Sequence, residues 1–196
     1  MDFIKNNNVV NVFLSTITTG SSVYSDLINL SLVATIDDTT SSSLYIERTD
    51  INIEKIISSE TYNTIYEKQL FKNKIKHNEY VMDKDLILFK DHDISVYEKI
   101  DEFLYKISNN GKKTIEFWVS SPIDWIHFIK TAFIFKDDLP IIPSYINPYP
   151  NDTDTLFRFN LGNNLDDVFP GNDSDQYSSL TKALHMSVLV NTIFLK

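Results

Sequence analysis

The chain has 196 residues, 42% of them hydrophobic and 13% aromatic, with no cysteine and a formal net charge of -9. That content is ample for one packed domain spanning 1–196, and it excludes disulfide frameworks, thiolate metal sites and cysteine nucleophiles. The acid excess, with Arg48 and Arg158 the only arginines, argues against a broad phosphate-binding surface, because nucleic-acid affinity scales with the basic contacts made.

No stretch approaches the apolar length of a membrane span: the most hydrophobic run, "WIHFIKTAFIF", is short and is interrupted by His127 and Lys130. The start, "MDFIKNNNVV", lacks a basic segment followed by an apolar signal core. The expectation is an intracellular, cytoplasmic protein with no membrane partner. Abundant Ile and Asn with few Ala and Gly look like the coding bias of an AT-rich genome, as in a virus or phage, rather than a property of the fold.

From the N-terminus, "VVNVFLSTI", "LINLSLVATI" and "SLYIERT" alternate like strands and are separated by the turn-rich "TTGSSVYSD" and "DDTTSSS", which predicts an antiparallel meander. From Ile51 to about Leu88 short apolar patches sit among Lys, Asn and Glu, and irregular helix and loop are expected. "DISVYEKIDEFLYKISNNG" reads as a helix, with Asp93 as its cap, an apolar stripe of Ile94, Tyr97, Ile100, Leu104 and Ile107, and "NNG" as its stop.

"KKTIEFWVSS" follows as a strand whose apolar density places it in the centre of a sheet. "SPIDWIHFIKTAFIF" then reads as a helix with Ser121 at the cap and Pro122 in the first position. "LPIIPSYINPYPND" carries four of the six prolines, so it is extended or turning and reads as a long surface crossing. "SSLTKALHMSVLVNTIFLK" resumes helical periodicity through Leu180, Leu184, Val188 and Ile193.

Three local patterns in this order carry a family resemblance. "FLSTITTG" looks like a strand motif that in one large nuclease superfamily reads roughly FLDTETTG. "FWVSSPIDWIHF" is similar to a middle motif with an aspartate near a helix start, and "TKALHMSV" to a closing His-x-Ala-Leu-x-Asp-Ala. Together, from about residue 9 to 195, they resemble the DEDDh 3′-5′ exonucleases of the RNase H-like superfamily, the group containing RNase T and proofreading exonuclease domains. The short single-domain exoribonuclease-like branch is the nearest subgroup. The resemblance implies an α/β fold, an RNase H-like mixed sheet of about five strands with helices on both faces.

The resemblance also implies a pair of divalent ions held by acidic side chains, with a histidine activating the attacking water. Carried over by position, the ligand places fall on Ser15, Ile17, Asp124 and Met186, and the histidine place on Thr181. Only Asp124 suits a hard cation: a serine hydroxyl is neutral, and isoleucine and methionine do not coordinate magnesium. Asp124 also has a structural reading, as a first-turn carboxylate of a proline-started helix. If Ile17 and Met186 meet, the old metal pocket is partly apolar and filled by side chains.

The expectation is therefore a catalytically inactive exonuclease-like protein with no catalytic residues, no metal and no cofactor, acting as a protein-interaction or scaffold module, with a protein partner or a second copy of itself. The alternative is noncatalytic binding of single-stranded nucleic acid, with Trp118 and Trp125 stacking on bases, although core packing is the commoner role of such aromatics. His185 is the third binding candidate, four residues after Thr181, where a helix would bring it towards the histidine place. A third reading, an active exonuclease using Mg or Mn, needs relocated ligands. Its candidates are "NDTDT", with Asp152 and Asp154, and "DHD", with Asp91, His92 and Asp93.

Overall fold

Alternation and turn chemistry produce the meander as expected. The computed structural model describes residues 8–20, 22–35, 41–48, 86–89, 94–156 and 179–194. Strand β1 (Val9–Thr18) pairs antiparallel with β2 (Leu27–Thr35), and β2 with β3 (Ser41–Arg48). A short β4 (Leu86–Phe89) adds to β3 in parallel, a strand where loop and helix were expected; residues 51–85 of that segment lie outside the described residues.

Helix α1 (Ile94–Ile107) follows, and its proposed cap Asp93 also lies outside the described residues. Its buried face is Val96, Ile100, Phe103, Leu104 and Ile107, with Tyr97 only half-buried. The stop falls on "NNG": Asn109, Asn110 and Gly111 have φ of 53°, 59° and 74°, a left-handed run that ends a helix. A Cβ on Gly111 would stand 3.3 Å from the Tyr145 ring, so this turn needs glycine for space as well as for its backbone angle.

Strand β5 (Thr114–Val119) enters between β1 and the last strand, parallel to both. Helix α2 (Pro122–Ala132) begins at Ser121, whose hydroxyl accepts from the Ile123 N–H at 3.2 Å, with Pro122 in the first turn. The helix stops at Ala132, short of the expected "FIF". Phe133 is extended, and Phe135–Lys136 (β6) pairs with Leu139–Pro140 (β7) in a hairpin that the sequence reading missed.

The proline-rich segment does more than cross a surface. Ile146 bridges to Ile115, and Asn151–Asp152 (β8) pairs with Trp118 and Val119, so this segment supplies the outer edge of the sheet. Helix α3 (Ser179–Phe194) closes the described chain.

The result is a six-stranded sheet of order β4-β3-β2-β1-β5-β8. It is the mixed RNase H-like sheet with helices on both faces that the sequence predicts, extended by β4. Alternation along each strand divides two cores. Val10, Val12, Leu14, Leu30, Leu32 and Phe117 face Ile100, Leu104, Trp125 and Phe128 of α1 and α2. Phe13, Val33 and Trp118 face Ala183, Met186 and Val190 of α3. Each fully buried large side chain stabilises by about 1.5–3 kcal/mol.

The α3 contact face corrects one expectation. Leu180 packs partly against the core, but Leu184 and Val188 are exposed. The sheet receives the small Ser179, Ala183 and Ser187 together with Met186 and Val190, because small residues let a helix sit close to pleated strands. Among the described residues no helix is long and apolar enough to cross a membrane.

Candidate functional site

Position Asp124 is set by the start of α2. The Ser121 cap and Pro122 turn the chain over the ends of β1 and β5, so the Asp124 carboxylate, buried in the first turn, meets β1. Its Oδ1 accepts the Thr16 N–H at 2.9 Å and the Thr16 hydroxyl at 2.5 Å, while Oδ2 accepts the Ser120 hydroxyl at 3.2 Å. Thr16 alternates with Ser15 and Ile17, so its side chain lies on the α2 side of β1 with Leu14. Asp124 thus ties a helix start to the central strand, where the free N–H groups of the first turn also favour its charge.

Ser15 lies on the opposite side of β1, under α3. It is fully buried, and its hydroxyl has no hydrogen-bond partner among the described residues. Across the β1–β2 ladder it faces Ser31, whose hydroxyl is 2.6 Å from that of Ser179 at the start of α3. Ile17 faces Asn29, which is buried with its Oδ1 unpartnered among the described residues. On β3 the same rows continue into Tyr45 and Glu47, whose side chains bond at 3.0 Å. Burial, then the Glu47 charge, pushes the Tyr45 hydroxyl well above the ordinary tyrosine range, so it stays a neutral donor.

This polar patch beneath α3, formed by Ser15, Asn29, Ser31, Tyr45, Glu47 and Ser179, was missed by sequence reasoning except at Ser15. Its signal is present: polar residues at alternate positions 29 and 31 of β2, and again at 45 and 47 of β3, interleaved with Leu30, Leu32, Leu44 and Ile46.

Met186 is fully buried among Phe13, Val33, Trp118, Ala183 and Val190, with the Thr153 hydroxyl 3.5 Å from its sulfur. Ile17 is half-buried and stays outside that cluster, so the expected Ile17–Met186 packing does not form. Thr181 lies in the first turn of α3, and its side chain is outside the described residues. His185 is half-buried, one residue before Met186.

The structure therefore joins Asp124 to Thr16 and Ser120, and Ser15 to the seryl row, and it does not gather the five positions into one cluster. Trp118 and Trp125, the proposed stacking residues, are buried. The Trp118 indole N–H donates to Asn11 at 2.9 Å and its ring stacks on Phe13, while Trp125 packs on Phe117 and Phe128. Neither ring offers a face to a base.

Asp152 accepts the N–H groups of Asp154 and Thr155 and the Thr155 hydroxyl, which is helix-cap chemistry. "DHD" lies outside the described residues. Among the described residues no group of three or more His, Asp or Glu side chains converges as a metal site would require. The donor set does not fit a hard cation: Met186 and Ile17 are apolar, Ser15 is neutral, and the Asp124 oxygens are engaged by threonine and serine.

His127, on the second turn of α2, is buried with Nε2 3.4 Å from the Ser22 carbonyl oxygen. Burial holds its imidazole below the ordinary value of 6.5, opposed by that hydrogen bond. Lys130 donates to the Val23 carbonyl at 2.8 Å and lies over the Tyr24 ring, so α2 clamps the β1–β2 turn through two side chains. No protein-family model matches the chain, and no curated protein matches it. In general terms the sheet has an RNase H-like mixed arrangement, and among the described residues no metal-holding cluster of His, Asp and Glu forms.

Proposed function

We propose that the chain is a single exonuclease-like domain that has lost hydrolysis and works by binding another protein. The observation that carries this reading is the use made of Asp124. Of the positions that the DEDDh resemblance assigns to metal ligands it is the one carboxylate, and it is committed to Thr16 and Ser120 as a fastener between α2 and β1. Ser15 and Met186 support it further, since one offers a neutral hydroxyl and the other packs in an apolar cluster. Without paired metals neither the attacking water nor the leaving oxygen of a phosphodiester is stabilised.

The net charge of -9 favours a protein over a nucleic acid as the bound molecule, because phosphates are repelled by an acidic surface. Titration of the full chain with magnesium and manganese, beside an exonuclease assay on labelled single-stranded RNA and DNA, tests the proposal. The expected result is no two-site metal binding and no trimming. Metal-dependent trimming that is lost in Asp124→Asn would overturn it, and tight, steeply salt-dependent retention of the uncut strands would replace protein binding with nucleic-acid binding.

A further inference from the structure

The β6–β7 hairpin contributes to neither core, yet it is rich in large apolar side chains. Ile134, Phe135, Leu139 and Ile141 are all exposed, Leu139 at 70%. The pairing of Phe135 with Pro140 and of Lys136 with Leu139, continued by the Ile141 N–H bonded to the Ile134 carbonyl at 2.8 Å, fixes which side chains share a face. Ile134, Leu139 and Ile141 lie on one face with Lys136, and Phe135 and Pro140 on the other. A flat partner would cover one face and leave the other wet. A ribbon apolar on both faces fits a groove that closes around it.

The tip adds a second property. Asp137 and Asp138 have φ of 52° and 62°, the backbone of a two-residue primed turn, for which Asn-Gly is the less strained choice. Asp is among the residues that tolerate this backbone, and what a partner meets at the tip is the charge of the exposed pair. Both are exposed, and among the described residues neither has a hydrogen bond or ion pair. Their charges project beyond the apolar ribbon, where they meet whatever borders the groove. A second copy would bring two such tips and two chains of charge -9 together, and an anionic lipid surface would repel the tip in the same way. Pro140 also has no N–H for an added strand, so side chains rather than ladder bonds carry the contact along that edge.

We infer that the segment 134–141 is a docking element for a protein whose apolar groove is bordered by lysine or arginine. The inference rests on the reading of the chain as a protein-binding module and names the surface and the chemistry of the partner. The test uses three short peptides with an identical Leu/Phe face and Lys, Gln or Glu on the polar face, titrated into the isotope-labelled full chain and followed by amide chemical shifts, with sedimentation velocity of the chain alone.

The expected result is that the Lys peptide moves the amides of 134–141 and binds roughly tenfold tighter than the Glu peptide at low salt. Asp137→Asn with Asp138→Asn should erase that preference. Leu139→Ser with Ile141→Ser should weaken all three peptides while leaving the Trp118 indole signal in place as evidence of an intact core. Equal affinity for the three peptides, or a dimer that the Leu139→Ser and Ile141→Ser changes dissociate, would overturn the inference. Shifts confined to another face would overturn it while leaving the protein-binding reading intact, whereas metal-dependent trimming would sink that reading without bearing on the peptide preference.

Discussion

Thr16 and Asp124, 108 positions apart in the chain, meet at one carboxylate oxygen that accepts both the N–H and the hydroxyl of the threonine. Replacing Asp124 by Ala strands a part-buried backbone donor and removes a charge favoured by the start of α2. A loss of about 2–3 kcal/mol in urea unfolding is expected. Thr16→Val removes only the hydroxyl bond and should cost about 1 kcal/mol. Equal losses in the two variants would show that the backbone bond contributes nothing.

Ser15 gives the opposite sign. Its buried hydroxyl has no partner among the described residues, so Ser15→Ala should leave stability unchanged or raise it by up to about 1 kcal/mol. A loss exceeding 1 kcal/mol in the same unfolding experiment would mean that the hydroxyl is satisfied in solution.

Met186 tests the packing under α3. Met186→Leu conserves volume and should cost less than about 1.5 kcal/mol. Met186→Ala should cost about 2–5 kcal/mol through the cavity left against Phe13 and Trp118. Met186→Asp restores the acid that the family resemblance places there, yet it buries a carboxylate among apolar side chains. It should unfold the chain at neutral pH in the absence of metal, read by loss of near-ultraviolet circular dichroism.

His127 should make stability pH-dependent. Its folded-state pKa is lowered, first by burial and also by Lys130, while the Ser22 carbonyl, Asp124 and Asp26 pull it upward. The unfolded chain then binds the proton more readily, so this contribution is complete above the ordinary value of 6.5 and is lost as pH falls through the lower folded value. His127→Gln should flatten the fall in stability between neutral pH and that window. An unchanged slope in the variant would assign the dependence to other groups.

The two apolar stripes of α3 make contrary predictions. Leu184→Ser and Val188→Ser change exposed positions and should alter stability by no more than about 0.5 kcal/mol. Ala183→Leu overfills a closed contact with the sheet and should cost about 1–3 kcal/mol. Thermal denaturation of the three variants side by side separates the faces.

The α3 result shows where sequence reading stops. Leu180, Leu184 and Val188 repeat at helical spacing as regularly as Ala183, Met186 and Val190, so a helix apolar on most sides does not declare which side the sheet receives. The meander and the Ser121–Pro122 helix start were legible because period-two alternation and capping chemistry are local. The hairpin was hidden inside an apolar run, although "KDDL" between apolar segments was its turn signal. The seryl and amide patch under α3 escaped notice because it depends on three strands aligning in register, which no single segment reveals.

The strand order carries a kinetic consequence. β1, β2 and β3 pair with their neighbours in sequence, whereas β5 must return from beyond α1 to lie against β1. The first pairings close short loops and the last closes a long one, so the meander is the natural early unit and insertion of β5 with α2 the late event. A bond made in that final step stabilises the finished state more than the barrier leading to it. Its removal should therefore leave the refolding rate nearly untouched and shorten the lifetime of the folded chain.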